Sequence, residues 1–146
     1  MIEYSNNSLS PIVLVEDDDN DVVLLNRAFS QALVKHPLLV AHNGEEAIGL
    51  LGSKCEAATV NGTWRPCLLI TDLKMPRLNG FELLMWIQTQ PQLRPIPKLI
   101  FSSSVLEEDQ QKSLELGATA YFVKPNNYTS LVELVRKWRQ LYLDKA

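Results

Sequence analysis

The sequence predicts an α/β fold built on one doubly wound parallel sheet of five strands with helices on both faces. Three observations carry this expectation. Five short apolar runs alternate with longer stretches of helical periodicity. The runs are apolar throughout rather than alternating, as strands covered on both faces are. A length of 146 residues also suits one domain, since compact domains mostly hold ~100–150 residues.

In chain order, the first run is IVLV at 12–15, behind Pro11. A helix follows over 22–34, with Val22, Leu25, Phe29 and Leu33 on one face and leading aspartates that suit a helix N-terminus. LLVA at 38–41 is the second strand, and Asn43 with Glu46 has the capping-box spacing that opens a second helix. Residues 53–66 (SKCEAATVNGTWRP) make a connection longer than the usual ~2–6 residues and are expected to form a surface loop. Pro66 leads into the third strand, CLLI at 67–70, and Asn79 with Glu82 opens the third helix. The fourth strand, KLIF at 98–101, follows Pro97. Ser104 and Glu107 then mark a fourth helix that Gly117 ends. AYFV at 120–123 is the fifth strand. Ser130 and Glu133 have cap spacing near the start of a last helix over 128–143, which aligns Leu131, Leu134, Val135, Trp138 and Leu141. Prolines just before strands leave the ladders unobstructed.

Composition narrows the function classes. Hydrophobic residues at 46% and charged residues at 21% exclude a disordered chain. Fourteen Lys and Arg against seventeen Asp and Glu give a net charge of −3, with no basic footprint for nucleic acid or an anionic membrane. Five of those acids (Glu16, Asp17, Asp18, Asp19 and Asp21) crowd into six positions, leaving twelve to face the fourteen bases. No run approaches the ~20 apolar residues of a membrane span, and residues 1–10 lack the apolar core of a signal peptide. Cys55 and Cys67 match neither a redox pair nor a zinc half-site, and Cys67 is expected to pack as a small hydrophobe. A cytoplasmic protein follows, with an extended or disordered N-terminus over 1–9 and a single domain over 10–146 that carries no output domain.

In open parallel sheets, ligands bind beyond the carboxyl ends of the strands. The residues there are Glu16 and Asp17 after the first strand, Thr71 and Asp72 after the third, Ser102 after the fourth and Lys124 after the fifth. Clustered carboxylates repel unless a cation offsets them. Oxygen-only ligands suit Mg²⁺, which keeps part of its hydration and favours phosphate partners. A lone Lys and a Ser facing that metal can hold further phosphoryl oxygens. With no Cys, His or second Ser placed as a nucleophile, the Asp72 carboxylate is the natural acceptor, forming an acyl phosphate by in-line attack.

PIVLVEDDDND at 11–21, LLITDLKMPRLNGFELL at 68–84, the serines at 102–104 and AYFVKP at 120–125 resemble the receiver domain of two-component response regulators. The likeness covers about residues 11–143, including spacings of 30 residues from Asp72 to Ser102 and 52 from Asp72 to Lys124. It implies the flavodoxin-like (βα)5 receiver sandwich. It implies Asp72 as phosphoacceptor, with Mg²⁺ on Asp17, Asp72, the Lys74 carbonyl and, largely through water, Glu16, which stands where the family more often has Asp. Ser102 and Lys124 would each hold a phosphoryl oxygen. Tyr121 would be the switch aromatic, turning inward as Ser102 moves toward the phosphoryl group. Partners implied are a sensor histidine kinase or phosphotransfer protein and a downstream protein target. A readout or homodimer face would be built from the fourth helix, fifth strand and fifth helix, with Trp138, Leu141 and Tyr142 as candidates. The segment before RPCLLITDL and the run QPQLRPIPKLIF are similar to single-domain regulators coupled to phytochrome kinases, although several of those carry another residue after the Lys. Lys74 occupies a position that in the family flanks the path of hydrolytic water, which implies a slow loss of the phosphoryl group.

Other readings fare less well. Asp17, Asp19 and Asp21 open like a calcium-hand loop, but Val22 replaces its glycine and Ala28 its closing glutamate. An Asp-nucleophile hydrolase needs a second acid two residues on, where Lys74 stands. The chain is therefore expected to be no enzyme beyond its own phosphotransfer and dephosphorylation. The main alternative is a receiver-fold adaptor that works without phosphorylation. Asp18, Asp19 and Asp21 are read as a solvated helix start, His36 and His42 as incidental, and Trp86 as packing.

Overall fold

The computed structural model describes residues 9–57 and 64–144. The expected N-terminal tail and the middle of the expected 53–66 loop lie outside the described residues, as does the side chain of Cys55. Five parallel strands form one sheet in the order β2-β1-β3-β4-β5. They are β1 (Ile12–Val15), β2 (Leu38–Ala41), β3 (Leu68–Thr71), β4 (Lys98–Ser102) and β5 (Ala120–Val123). The helices are α1 (Asp19–Gln31), α2 (Gly44–Ala57), α3 (Gly80–Gln88), α4 (Glu107–Glu115) and α5 (Tyr128–Trp138), the last continued by a π-helical turn over Arg139–Leu143. Among the described residues no helix is long and apolar enough to cross a membrane.

The apolar strands divide their side chains between two cores. Ile12, Leu14, Leu68, Ile70, Leu99 and Phe101 pack on α1 and α5 through Leu25, Phe29, Leu131, Val135 and Trp138. Val13, Val15, Ala41 and Leu69 meet α2 and α3 through Ala47, Leu51, Leu83 and Ile87. A third cluster, of Leu73, Leu84, Ile100 and Ala118, closes the α3–α4 side. The central strands are therefore buried on both faces, as expected. The edge strands β2 and β5 are only partly buried, because each has one neighbour and a helix layer that ends beside it.

Several boundaries depart from the sequence expectation. β3 starts one residue later than expected, because Cys67 N–H is drawn to the carbonyl of Pro11 before the ladder begins. Its Sγ contacts the carbonyls of Ser10 and Pro11, and burial pushes the thiol up to about 11. The second helix runs on to Ala57, so the expected loop is helical at its start. Leu33 is an exposed residue at φ 63°, not part of the α1 face. The N–H of Leu33 bonds Ser30 O and that of Val34 bonds Phe29 O, a Schellman closure with leucine where glycine is usual. Gly117, at φ 107°, closes α4 in the same way with its own N–H on Leu114 O and Ala118 N–H on Ser113 O.

The caps divide similarly. Asn79 and Glu82 form the full capping box, with both hydrogen bonds at 2.9 Å. Asn43 accepts Glu46 N–H at 2.8 Å, but the Glu46 carboxylate reaches back to His42 instead. Neither Ser104 nor Ser130 is an N-cap. α4 starts at Glu107, its N-cap position is Leu106, which supplies no side-chain cap, and an acid-rich first turn offsets its dipole. α5 is capped by Asn127, which accepts the N–H of Ser130.

Trp138 is fully buried against Phe29, Phe101 and Phe122, so it adds nothing to a dimer face. Leu141 is exposed, while Tyr142 packs partly on the core.

Candidate functional site

Strand order reverses between β1 and β3, which opens a crevice at their carboxyl ends. The register sets Val15 beside Thr71, so the residues that follow, Glu16 and Asp72, emerge together. Asp72 N–H bonds Val15 O at 3.0 Å and Glu16 N–H bonds Ala41 O at 2.9 Å, which fixes both backbones. Glu16, Asp17 and Asp72 each offer a carboxylate oxygen within 4.8 Å of the others. Glu16 and Asp72 are buried, and Asp17 is exposed.

Two of these carboxylates, Asp72 and Glu16, are oriented by hydrogen bonds. Asp72 Oδ1 accepts the N–H of Leu73 at 2.7 Å and Oδ2 accepts from Lys124 Nζ at 2.9 Å. Glu16 Oε2 accepts Asp18 N–H at 3.2 Å. Its Oε1 lies 3.1 Å from Lys124 Nζ but outside hydrogen-bonding geometry, leaving a buried oxygen without a true donor. The loop after β3 folds close over the site, with Gly80 N–H on Leu73 O at 2.9 Å. A methyl group at Gly80 would collide with the Asp72 carbonyl, so only glycine permits this approach.

Burial, and then the charge of Asp72, push Glu16 up to about 7, with Lys124 pulling the other way. Burial works against the Lys124 ammonium. Its hydrogen bonds to Asp21 and Asp72 and the charges of Asp72 and Glu16 outweigh that, so it stays charged, above the ordinary lysine range. A buried acid that resists ionising, a carboxylate oxygen without a donor and three convergent oxygens together fit a hard divalent cation.

The other expected residues lie around this cluster. Ser102 is buried at the end of β4, and its Oγ accepts the N–H of Ser104 at 3.1 Å. Tyr121 is half-buried against the Leu73–Leu84–Ile100 cluster and donates its hydroxyl to Ser104 O at 2.9 Å, outside the acidic cluster. Lys74 is exposed in the turn after β3.

Two expectations are corrected here. Asp21 is not a mere helix start, since its Oδ2 lies 2.7 Å from Lys124 Nζ. The signal was its place at the third position of α1, where a side chain tilts back toward the helix N-terminus and the strand ends. His42, expected to be incidental, stands at the carboxyl edge of the sheet, directly after β2. There it binds Glu46 at 3.0 Å and approaches Asp19 at 4.0 Å.

Comparison with known proteins agrees with this geometry. Residues 12–136 match the family model for the response regulator receiver domain. Response regulator Rcp1 of Synechocystis sp. is 29% identical over 139 residues, covering 95% of this chain and 92% of that protein. The phosphorylated cyanobacterial phytochrome response regulator RcpA superposes with a TM-score of 0.80 at 31% identity, over 94% of this chain and 96% of that one. The Mn²⁺-bound form of Rcp1 gives a TM-score of 0.79 at 28% identity, covering 94% and 97%.

Proposed function

The chain belongs to the response regulator receiver family, and on that premise we propose that it accepts a phosphoryl group on Asp72 from a sensor histidine kinase or phosphotransfer protein and signals through protein contact. The observation that carries this is the placement of Lys124 Nζ 2.9 Å from Asp72 Oδ2 inside a three-carboxylate cluster. A structural ion pair would not need two further acids beside it.

In the proposed reaction an Asp72 oxygen attacks the phosphorus of a phosphohistidine in line. The new P–O bond forms as the P–N bond breaks, and its electron pair returns to the imidazole. Leu73 N–H holds the Asp72 carboxylate in orientation. Lys124 transfers a hydrogen bond to a phosphoryl oxygen and offsets its charge. Ser102 Oγ gives up the Ser104 N–H and supplies another, which frees the Ser104–Tyr121 link for the switch. Mg²⁺, held by Glu16, Asp17, Asp72 and the Lys74 carbonyl, would supply the remaining charge neutralisation. Readout falls to the α4–β5–α5 face, where Val105, Leu106, Leu114 and Val123 are exposed and available to a target protein or a second copy.

The test is labelling with acetyl phosphate and Mg²⁺, followed by borohydride, which reduces an acyl phosphate and marks its residue. A mark on Asp72 supports the proposal, and an unmarked Asp72 favours a phosphorylation-independent adaptor. RcpA, a phytochrome response regulator, makes a phytochrome-type kinase the first donor to try.

Two further outcomes follow. Glu16 holds its proton to about pH 7 in the metal-free fold, while an unfolded glutamate loses it near ~4.3. Its contribution to metal-free stability is therefore full below the unfolded value and is lost as pH rises through 7. Mg²⁺ must displace that proton, so its affinity is expected to rise roughly tenfold from pH 6 to pH 8. Calorimetric titration at both values checks this, and equal affinities contradict it. Separately, the Lys74 side chain is expected to obstruct the hydrolytic water, so Lys74→Asn should shorten the phosphoryl lifetime several-fold. A longer lifetime in the variant contradicts that role.

A further inference from the structure

Lys124 has three carboxylate neighbours, and they are not equivalent. Glu16 and Asp72 belong to the convergent metal-type cluster, whereas Asp21 does not. Yet Asp21 makes the shortest contact, at 2.7 Å against 2.9 Å for Asp72 and 3.1 Å for Glu16. Its backbone is held by the helix cap, since Asp18 Oδ1 accepts the N–H groups of Asn20 and Asp21 at 2.8 and 3.2 Å. The pair is also partly withdrawn from water, with 16% of the Lys124 side chain and 30% of the Asp21 side chain exposed. Solvent therefore screens it less than a surface ion pair.

Resting on the phosphoacceptor reading above, we propose that Asp21 is a positioning residue for Lys124, the counter-ion that keeps its ammonium at the site when a divalent cation and the phosphoryl group engage Glu16 and Asp72. A divalent cation takes up the charge of its own ligands and repels a neighbouring ammonium. At that moment two of the three anchors of Lys124 are weakened, and the flexible four-carbon side chain is free to swing into solvent. Asp21, bound to no metal, still holds it within reach of the phosphoryl oxygens. The distinction between the three acids is thus one of timing: two serve the chemistry, and the third keeps the lysine present for it.

The test is the rate of Asp72 labelling by acetyl phosphate at saturating Mg²⁺. Asp21→Ala is expected to slow it by about fivefold to tenfold, and Asp21→Glu to recover most of the rate. In a Lys124→Ala background the same Asp21→Ala change is expected to add nothing, because the interaction it removes is already absent. A purely structural role for Asp21 would slow both backgrounds alike. A wild-type rate in Asp21→Ala, or an undiminished loss in the Lys124→Ala background, overturns the proposal. If Lys124→Ala labels too slowly to follow, the ¹⁵N signal of the Lys124 ammonium decides. Its slowly exchanging protons are expected to persist on Mg²⁺ addition in the wild type and to vanish in Asp21→Ala. Loss in the wild type, or persistence in the variant, overturns it equally. Failure of the wild type to label at Asp72 counts against the phosphoacceptor reading instead, so the two failures are distinguishable.

Discussion

Asp72→Asn is expected to abolish labelling by acetyl phosphate, by at least ~100-fold, while raising the thermal midpoint of the metal-free protein. The two effects have one origin. The amide has no anionic oxygen to attack phosphorus, so no acyl phosphate forms. The same change removes one negative charge from beside Glu16, whose ionisation the charge of Asp72 opposes. Asn retains an oxygen for the Leu73 N–H, so the local hydrogen bond survives. Above pH 7, where Glu16 is ionised, relief of repulsion then outweighs the weakened pair with Lys124, which keeps Asp21 and Glu16 as partners. For a domain of this size each kcal/mol of relief is worth ~2–4 °C. Intact-mass analysis and a thermal melt in chelator check both halves. Full labelling of the variant would move the acceptor elsewhere, and a lowered midpoint would mean that the ion pair dominates the repulsion.

Trp138→Ala carries the largest expected loss of stability, about 3–5 kcal/mol. The ring is fully buried, edge-on to Phe101 at 5.4 Å and to Phe122 at 5.6 Å, with Phe29 at 6.4 Å. It joins α5 to α1 and to the sheet, and truncation would leave a cavity where three aromatic residues meet. Trp138→Phe is expected to cost far less. The indole Nε1 is buried without a hydrogen-bond partner, so its removal returns desolvation free energy that partly offsets the lost area. Chemical denaturation of both variants measures the difference. Equal losses would mean that the indole nitrogen is satisfied in solution.

Trp138 also shows where sequence reasoning stops. Its place on a helical stripe makes it a core candidate, but with Leu141 and Tyr142 beside it an exposed face is equally consistent with the pattern. Only the approach of Phe29, Phe101 and Phe122, from three other elements, decides between them. The serines at 104 and 130 teach the same lesson at short range. Each has the spacing of a cap, yet Ser104 donates to Asp109 at 2.6 Å and Ser130 donates its N–H to the true cap, Asn127. Cap spacing says that a helix can start at such a residue, and tertiary docking selects which residue starts it.

The carboxyl-edge residues were legible because strand ends can be read directly from apolar runs. Once parallel strands are aligned, Glu16, Asp17, Asp72, Ser102 and Lys124 must share an edge, whatever the details of packing. That logic settles membership of the edge and is silent on pairing within it. Asp21 belongs to no strand end, and three acids within four positions at a helix start read as solvent-facing.

The order and type of the elements, the burial of the central strands and the set of acids, serine and lysine at one edge of the sheet are all legible in the amino-acid pattern. These follow from period, run length and residue type, which are properties of the chain in one dimension. Packing in three dimensions sets Lys124 among three carboxylates rather than one, and buries Glu16 enough to resist ionising. It also makes Asp21, 103 residues from Lys124, the closest partner of that lysine. Those facts depend on how α1 docks against α5 and the sheet, to within an ångström. Electrostatic interaction at that separation is governed by distance and burial, which no local pattern encodes.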